Sequence, residues 1–161
     1  MKSLVMPLAL ALAATTGSFV LTVDTAIAGP TFTGVEDSNI AAGGYDVTSY
    51  FSESGVPAKG SKAHTVSYNG AEYQFSSASN ASKFEENPAK FAPQYGGHCA
   101  WAMSRGYLAP GDPLLSKVVD GKLYLNFNRD VQKTWLSDIP GFINKANVEW
   151  PKFPDDAKFG A

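Results

Sequence analysis

The sequence predicts a small single domain of the α+β class, in which two antiparallel β-hairpins pack against short helices. Two stretches of alternating apolar and polar residues are each interrupted by a two-residue turn, Asn69-Gly70 in the first and Asp120-Gly121 in the second. Both dipeptides favour the positive φ angles of tight hairpin turns. Signals for helix starts follow each hairpin, so short helices are expected to pack against the two hairpins.

The predicted elements follow one another along the chain without an internal repeat or a linker. Turn-forming residues separate the strands from the helices, and Phe84, Trp101 and Trp135 are expected to anchor the helices to the core. The expected elements are strands at 64–68 and 71–75, a helix capped by Ser76 or Ser77 that ends at Asn87, helices at 88–93 and 98–106, a turn at 111–113, strands at 117–119 and 122–127, and helices at 129–136 and 139–150.

The composition excludes several classes of protein. The chain has 161 residues, of which 44% are hydrophobic and 17% charged, and its formal net charge is -2. This is enough apolar chain for one globular domain, and it argues against a disordered protein or a coiled coil. Since the sequence has no cluster of Lys and Arg and no basic amphipathic stretch, nucleic acid and anionic membranes are not predicted partners.

The first 28 residues have the pattern of a secretory signal peptide. Lys2 supplies the positive end, an apolar run covers residues 4–14, and Ala26-Ile27-Ala28 is an A-x-A cleavage signature. We therefore expect a mature chain that begins at Gly29, is periplasmic or secreted, and has no membrane contact once the signal is removed. The alternative is an uncleaved membrane anchor, because about 20 apolar residues can span a bilayer.

Three stretches of the mature chain share an order of aromatic, glycine and proline residues with a known family. They begin at Gly43 (GGYDVTSYF), at Tyr68 (YNGAEYQFSSASNASKFEENPAKFAPQYGGHCAWA) and at Gly111 (GDPLLSKVVDGKLYLNFNRDVQKTWLSDIPGFINKANVEWP). In these stretches the chain resembles the secreted bacterial branch of the YHS-domain family. The resemblance implies a YHS-like domain over residues 43–161, a small α+β module that handles metals or binds ligands. Residues 29–42 have little periodicity, which predicts an extended lead-in before it.

The chain departs from the metal-binding members of that family at the positions of their cysteines. Those members carry thiols in stretches that correspond here to 45–48, 74–77 and the region of Asn80, and none of these stretches contains a cysteine. No metal ligand is therefore carried over from the family, and the resemblance implies a pocket at that place that is empty or lined by hard ligands.

Cys99, the only cysteine, excludes an internal disulfide and any zinc site that needs two thiolates from one chain. Because Gly96 and Gly97 precede it, we expect Cys99 in the first turn of a helix, where the helix dipole would lower the pKa of its thiol. Met103 lies one turn later, so both sulfur atoms and the His98 imidazole are candidate ligands for copper(I) first and zinc second. The alternative is structural, with Cys99 and Met103 as core residues and His98 exposed.

Two further polar residues have alternative interpretations. His64 begins a predicted strand and could point inward to join His98, although a solvated histidine is the more common case. Asp46 lies in an apolar segment, where a hydrogen-bonded core carboxylate is the more common finding than a catalytic group.

The sequence therefore supports three hypotheses for function. The first is an exported, non-enzymatic YHS-like module that binds a soft metal ion at Cys99, His98, Met103 and His64. The second is a module that binds a small molecule, or a periplasmic protein partner, in an aromatic pocket beside an incidental thiol. The third is a thiol redox protein, which the absence of a resolving cysteine disfavours. We find no catalytic triad order, phosphate-binding loop or paired carboxylates in the sequence.

Overall fold

A computed structural model of the chain describes residues 29–34 and 38–159, so the predicted signal peptide lies outside the described residues. Within those two ranges the chain forms six β-strands and five α-helices. The strands are β1 (Tyr45–Asp46), β2 (Ala58–Lys59), β3 (Ser61–Tyr68), β4 (Ala71–Phe75), β5 (Asp112–Val119) and β6 (Lys122–Asn126). The helices are α1 (Ala78–Glu86), α2 (Pro88–Phe91), α3 (Ala100–Met103), α4 (Arg129–Leu136) and α5 (Ile139–Glu149).

Both predicted hairpins are confirmed. Strand β3 pairs with β4 and strand β5 pairs with β6, each pair antiparallel and each closed by its predicted two-residue turn. The backbone φ angles are 47° and 73° at Asn69 and Gly70, and 49° and 72° at Asp120 and Gly121. All four lie in the left-handed region that asparagine, aspartate and glycine tolerate best, so the turn dipeptides fix the register of both hairpins.

The strands extend further than the sequence indicated. Strand β5 begins at Asp112, so the turn predicted at 111–113 is wrong, and its register with β6 shifts at an irregularity between Asp112 and Ser116. Strand β2 lies outside the predicted elements and pairs antiparallel with β1. The α+β fold therefore contains a third small sheet in addition to the two predicted hairpins.

Side-chain caps begin four of the helices near the positions that the sequence predicts. Ser77, Asn87, Asn128 and Asp138 accept hydrogen bonds from the backbone N–H groups of the first turns of α1, α2, α4 and α5. Each cap satisfies a donor that the helix itself leaves without a partner. Helix α3 is different: it has only four residues and starts after Cys99, whereas the sequence predicted a helix over 98–106.

The core consists of two clusters of buried side chains. The first packs Phe84 of α1 against Tyr73 and Phe75 of β4, and the second packs Trp135 of α4 against Met103 and other residues. Phe84 and Trp135 are fully buried, as predicted, while Trp101 is only half-buried. In the described part of the chain, no helix has the length and apolar character needed to cross a membrane.

We predict that Trp135→Ala lowers the free energy of unfolding by about 3–5 kcal/mol, because it removes a fully buried indole and leaves a cavity. Urea denaturation measures this change, and Leu136→Ala is the matched control, since Leu136 is 45% exposed. The control should lose less than about 1 kcal/mol. Equal losses in the two variants would contradict the packing described for α4.

Candidate functional site

Three backbone segments approach one another closely just before His98. A Cβ atom at Gly96 would overlap the carbonyl oxygen of Pro30, and one at Gly111 would overlap the carbonyl oxygen of Gly97. Only glycine permits such approaches without a shift of the backbone. These contacts hold the N-terminal segment, the turn before His98 and the segment before β5 against one another, and they fix the position of His98.

His98 and Cys99 lie in extended backbone rather than in a helix. Their φ and ψ angles are -70° and 160° at His98 and -60° and 119° at Cys99, and each residue forms an isolated bridge to a different neighbouring segment. Successive side chains of an extended chain point to opposite sides. The imidazole and the thiol, two of the candidate metal ligands, therefore face different surroundings.

The His98 ring is buried between two aromatic rings. Its centroid lies 5.4 Å from that of Phe32 and 6.3 Å from that of Trp150. The expectation of an exposed His98 in the structural alternative is wrong, since the residue is 2% exposed. Within the described residues, neither Nδ1 nor Nε2 of His98 makes a hydrogen bond.

Burial lowers the pKa of His98 to about 4, although the nearby carbonyl groups of Ala109 and Pro30 favour its protonated form. At neutral pH the ring is therefore uncharged and presents one N–H donor and one nitrogen lone pair. A buried polar group without a partner costs free energy unless a ligand or water supplies one. Both ring nitrogens are therefore buried polar atoms that make no hydrogen bond of good geometry within the described residues, although the carbonyl groups of Ala109 and Pro30 lie near the ring.

His98 borders a cleft of about 640 Å³ formed mainly by the two ends of the described chain. The N-terminal segment and the C-terminal segment supply most of its walls, and the turn of the first hairpin supplies the rest. The polar residues of this wall are Thr31, Thr33, Ser38, Asn39, Asn69, Asp155, Asp156 and Lys158, and its aromatic residues are Phe32 and Phe159. We call this cavity the His98 cleft.

Cys99 faces the interior of the domain on the opposite side from His98. It is fully buried, and its Sγ atom lies 3.9 Å from Oδ1 of Asn126, which is itself fully buried. Burial raises the pKa of the Cys99 thiol, against a smaller opposing effect of backbone N–H groups that include those of Trp101 and Ala102. The predicted lowering of this pKa is therefore wrong: the helix start is present, but the loss of hydration outweighs it.

The other two candidate ligands lie apart from the His98 ring. Met103 is fully buried in the second core cluster, beside Trp135. His64 is half-buried on β3 and borders a groove between that strand and α1, together with Ala81 and Glu85. Among residues 29–34 and 38–159, no group of three or more His, Cys, Asp and Glu side chains is arranged to hold a metal ion. The residues do not fit the four-ligand site considered above.

Asp46 lies in the stretch 45–48, one of those in which the sequence resemblance implied an empty or hard-ligand pocket. Its Oδ1 accepts hydrogen bonds from the backbone N–H and the hydroxyl of Thr48, at 2.9 and 2.7 Å. Its Oδ2 accepts from the backbone N–H and the hydroxyl of Ser76, at 3.0 and 2.7 Å, and from Nδ2 of Asn80 at 2.7 Å. The expected empty or hard-ligand pocket is therefore filled by a hydrogen-bonded core carboxylate, the interpretation favoured for Asp46.

Sequence reasoning missed Asn126, Trp150 and the two chain segments that form the His98 cleft. Asn126 ends the apolar strand β6 and is fully buried, and its Nδ2 makes no hydrogen bond within the described residues. An asparagine in an otherwise apolar strand indicates a buried polar side chain, so the sequence did contain a signal for Asn126. The cleft itself had no local signal, because residues 30–34 and 155–159 meet only through the folded chain.

A comparison with protein families identifies one match. Residues 53–95 match the family model of the YHS domain, which supports membership of the YHS family. The matched stretch begins after Asp46 and ends before His98, so it covers the first hairpin, α1 and α2. No curated protein and no solved structure matches the chain.

We predict that Asp46→Asn destabilises the protein by at least about 2 kcal/mol, because an amide turns donors toward groups that are themselves donors. Burial alone would raise the pKa of Asp46, but the hydrogen bonds from Ser76, Asn80 and Thr48 outweigh it and hold the pKa below its usual value. The stabilisation is therefore complete above the unfolded-state pKa near 3.8 and is lost as pH falls through the lower folded-state pKa.

Urea denaturation between about pH 2 and pH 7 measures how the stability depends on pH. The control is Glu85→Gln, which removes one charge from an exposed side chain. The acid loss of stability should be smaller in Asp46→Asn than in the wild type and unchanged in the control. An identical acid profile in all three proteins would show that the Asp46 carboxylate does not contribute.

We predict that the Cys99 thiol of the folded protein reacts with iodoacetamide at neutral pH on the order of 100-fold more slowly than in the unfolded chain. The physical reasons are its full burial and its raised pKa. Mass spectrometry of samples quenched over time, with and without urea, measures both rates. Equally fast reaction of the folded protein would contradict this environment and would favour a thiol redox role.

Proposed function

We propose that this chain is an exported member of the secreted bacterial branch of YHS proteins and acts as a non-enzymatic module that binds a small ligand. The signal-like first 28 residues support export to the periplasm or the cell exterior. The YHS match over residues 53–95 supports the family, and the sequence resemblance outside that range supports the branch. In this proposal the His98 cleft is the binding site.

The observation that carries the proposal is the buried imidazole of His98 at the wall of a cleft. Its two nitrogens are covered by surrounding residues and make no hydrogen bond in the described part of the chain, so a molecule that displaces this cover could pair with them. Ligand sites typically combine apolar walls with a few placed polar groups. The rings of Phe32 and Phe159 supply apolar parts of the wall, and Phe32 also packs against the imidazole.

The lining of the cleft favours an uncharged, hydroxyl-rich ligand. Most of its polar groups are hydroxyls and amides, which both donate and accept hydrogen bonds. The charged groups of the wall, Asp155, Asp156 and Lys158, leave an excess of one negative charge, which disfavours an anionic ligand. A neutral imidazole suits hydroxyl groups, because it can accept a hydrogen bond from one hydroxyl and donate a hydrogen bond to another.

Saturation-transfer difference NMR with a panel of mono- and disaccharides as probes tests this function. We expect a signal with the wild type and its loss in His98→Phe, which keeps a ring of similar size but removes both nitrogens. His64→Phe is the matched control, because it changes the only other histidine, which lies on a different groove. Absence of signal from every sugar, or equal signal from the His98→Phe variant, would overturn the proposal.

A soft metal ion is a second candidate ligand, and the feature that favours it is a pair of sulfur side chains. Cys99 and Met103 lie one helical turn apart, linked by a backbone hydrogen bond of 3.0 Å, and both side chains are fully buried. Thiolate and thioether sulfur suit copper(I), with zinc as the second choice. Since the imidazole of His98 points to the other side of the chain, this pair would act without it and would need a ligand from a periplasmic protein partner or another group.

Competition with a colourimetric copper(I) chelator tests the second candidate. The sulfur pair predicts that the wild type retains one equivalent of copper(I), and that Cys99→Ser and Met103→Leu both lose it. Equal retention by all three proteins, or no retention by the wild type, would overturn it. Elemental analysis of protein purified without an affinity tag extends the test to zinc.

A further inference from the structure

The N-terminal segment of the described chain contains a glycine in contact with an aromatic ring. A Cβ atom built at Gly29 would overlap Cζ2 of the Trp150 indole and would lie 2.5 Å from Cη2 and 2.8 Å from Cε2. These three ring atoms lie at similar distances, which is the geometry of an approach over the face of the ring rather than at its edge. No side chain fits between the backbone of residue 29 and this indole.

The same geometry limits where the backbone nitrogen of Gly29 lies. Nitrogen and Cβ are bonded to the same Cα atom and are about 2.5 Å apart, so the nitrogen lies within about 5 Å of Cη2 of Trp150. The face of an indole is the most favourable aromatic surface for a cation, at distances up to about 6 Å from the ring centroid. An ammonium group at this position would therefore be attracted to the ring.

The sequence supplies a means of creating such an ammonium group. Ala26-Ile27-Ala28 is the cleavage signature of the proposed signal peptide, and it ends at the bond before Gly29. Hydrolysis of that bond by a signal-cleaving endopeptidase adds one water. Ala28 leaves with the new carboxylate, and Gly29 keeps the amine, which takes up a proton at neutral pH.

We infer that processing at Ala28–Gly29 creates an α-ammonium group that binds the indole face of Trp150 and anchors the mature N-terminus. This inference rests on the proposed export of the chain. Pro30 and Phe32 follow the anchor directly and contact or border His98, and Trp150 packs on the same imidazole. Processing therefore stabilises one wall of the His98 cleft.

Two prepared chains that differ by one residue test the anchor. One begins at Gly29, and the other keeps Ala28 before it, so that the total charge is equal while the ammonium moves one residue away from the ring. In urea denaturation we expect the chain that begins at Gly29 to have an unfolding equilibrium constant about two- to five-fold smaller. The difference should disappear when both chains also carry Trp150→Leu.

Equal stability of the two chains, or a difference that persists with Trp150→Leu, would overturn the anchor. If the Trp150→Leu chains do not fold, proton NMR of the wild-type pair decides. The α protons of Gly29 should be shifted upfield by the indole ring current in the chain that begins at Gly29, and ordinary shifts there would overturn the inference.

The processing step has its own test, which does not depend on ligand binding or on the anchor. The intact mass of the protein from its native host should correspond to a chain that begins at Gly29. A membrane-bound protein that retains residues 1–28 would overturn both the processing and the proposed export. The stability comparison uses prepared chains, so the two failures are distinguishable.

Discussion

The buried carboxylate of Asp46 is the interaction on which the first half of the domain depends. It accepts five hydrogen bonds from residues in three segments, the turn after β1, the end of β4 and the first part of α1. Each of these is a charge-assisted hydrogen bond, stronger than one between neutral groups. The start of α1 is thereby held at the end of β4, and Phe84 is positioned against the sheet. The network thereby cross-links three segments of the chain through one buried side chain.

The two halves of the domain use buried polar groups in opposite ways. Around Asp46 both carboxylate oxygens are satisfied, so this region gains stability and has no binding capacity left. Around His98 and Asn126, buried nitrogen atoms have no hydrogen-bond partner within residues 29–34 and 38–159. Such groups lower stability unless a bound molecule or water compensates them. The proposed binding site therefore lies on the His98 side, outside the stretch that matches the YHS family model.

Local signals in the sequence predicted most of the elements, and long-range contacts account for what they did not predict. The turn dipeptides and the caps at Ser77 and Asp138 act within a few residues, so the hairpins and most helices could be predicted. Strands β1 and β2 have only two residues each, and their pairing has no local signature. The helix expected over 98–106 was shortened because His98 and Cys99 bridge to other segments instead. This changed the candidate site, since extended backbone separates two side chains that a helix would have brought to neighbouring positions. The cleft itself depends on contacts between the two ends of the chain.

The central claim is that His98 is a buried, uncharged imidazole whose nitrogens make no hydrogen bond of good geometry within the described residues. Long-range proton–nitrogen NMR of the ligand-free protein tests it most directly, because the two ring nitrogen shifts report the charge and the tautomer of the ring. The account predicts the shifts of a neutral ring from about pH 8 down to about pH 5, since burial lowers the pKa of His98 to about 4. His64 provides an internal reference in the same spectrum. A His98 ring that becomes charged near the ordinary pKa of about 6.5 would contradict the claim.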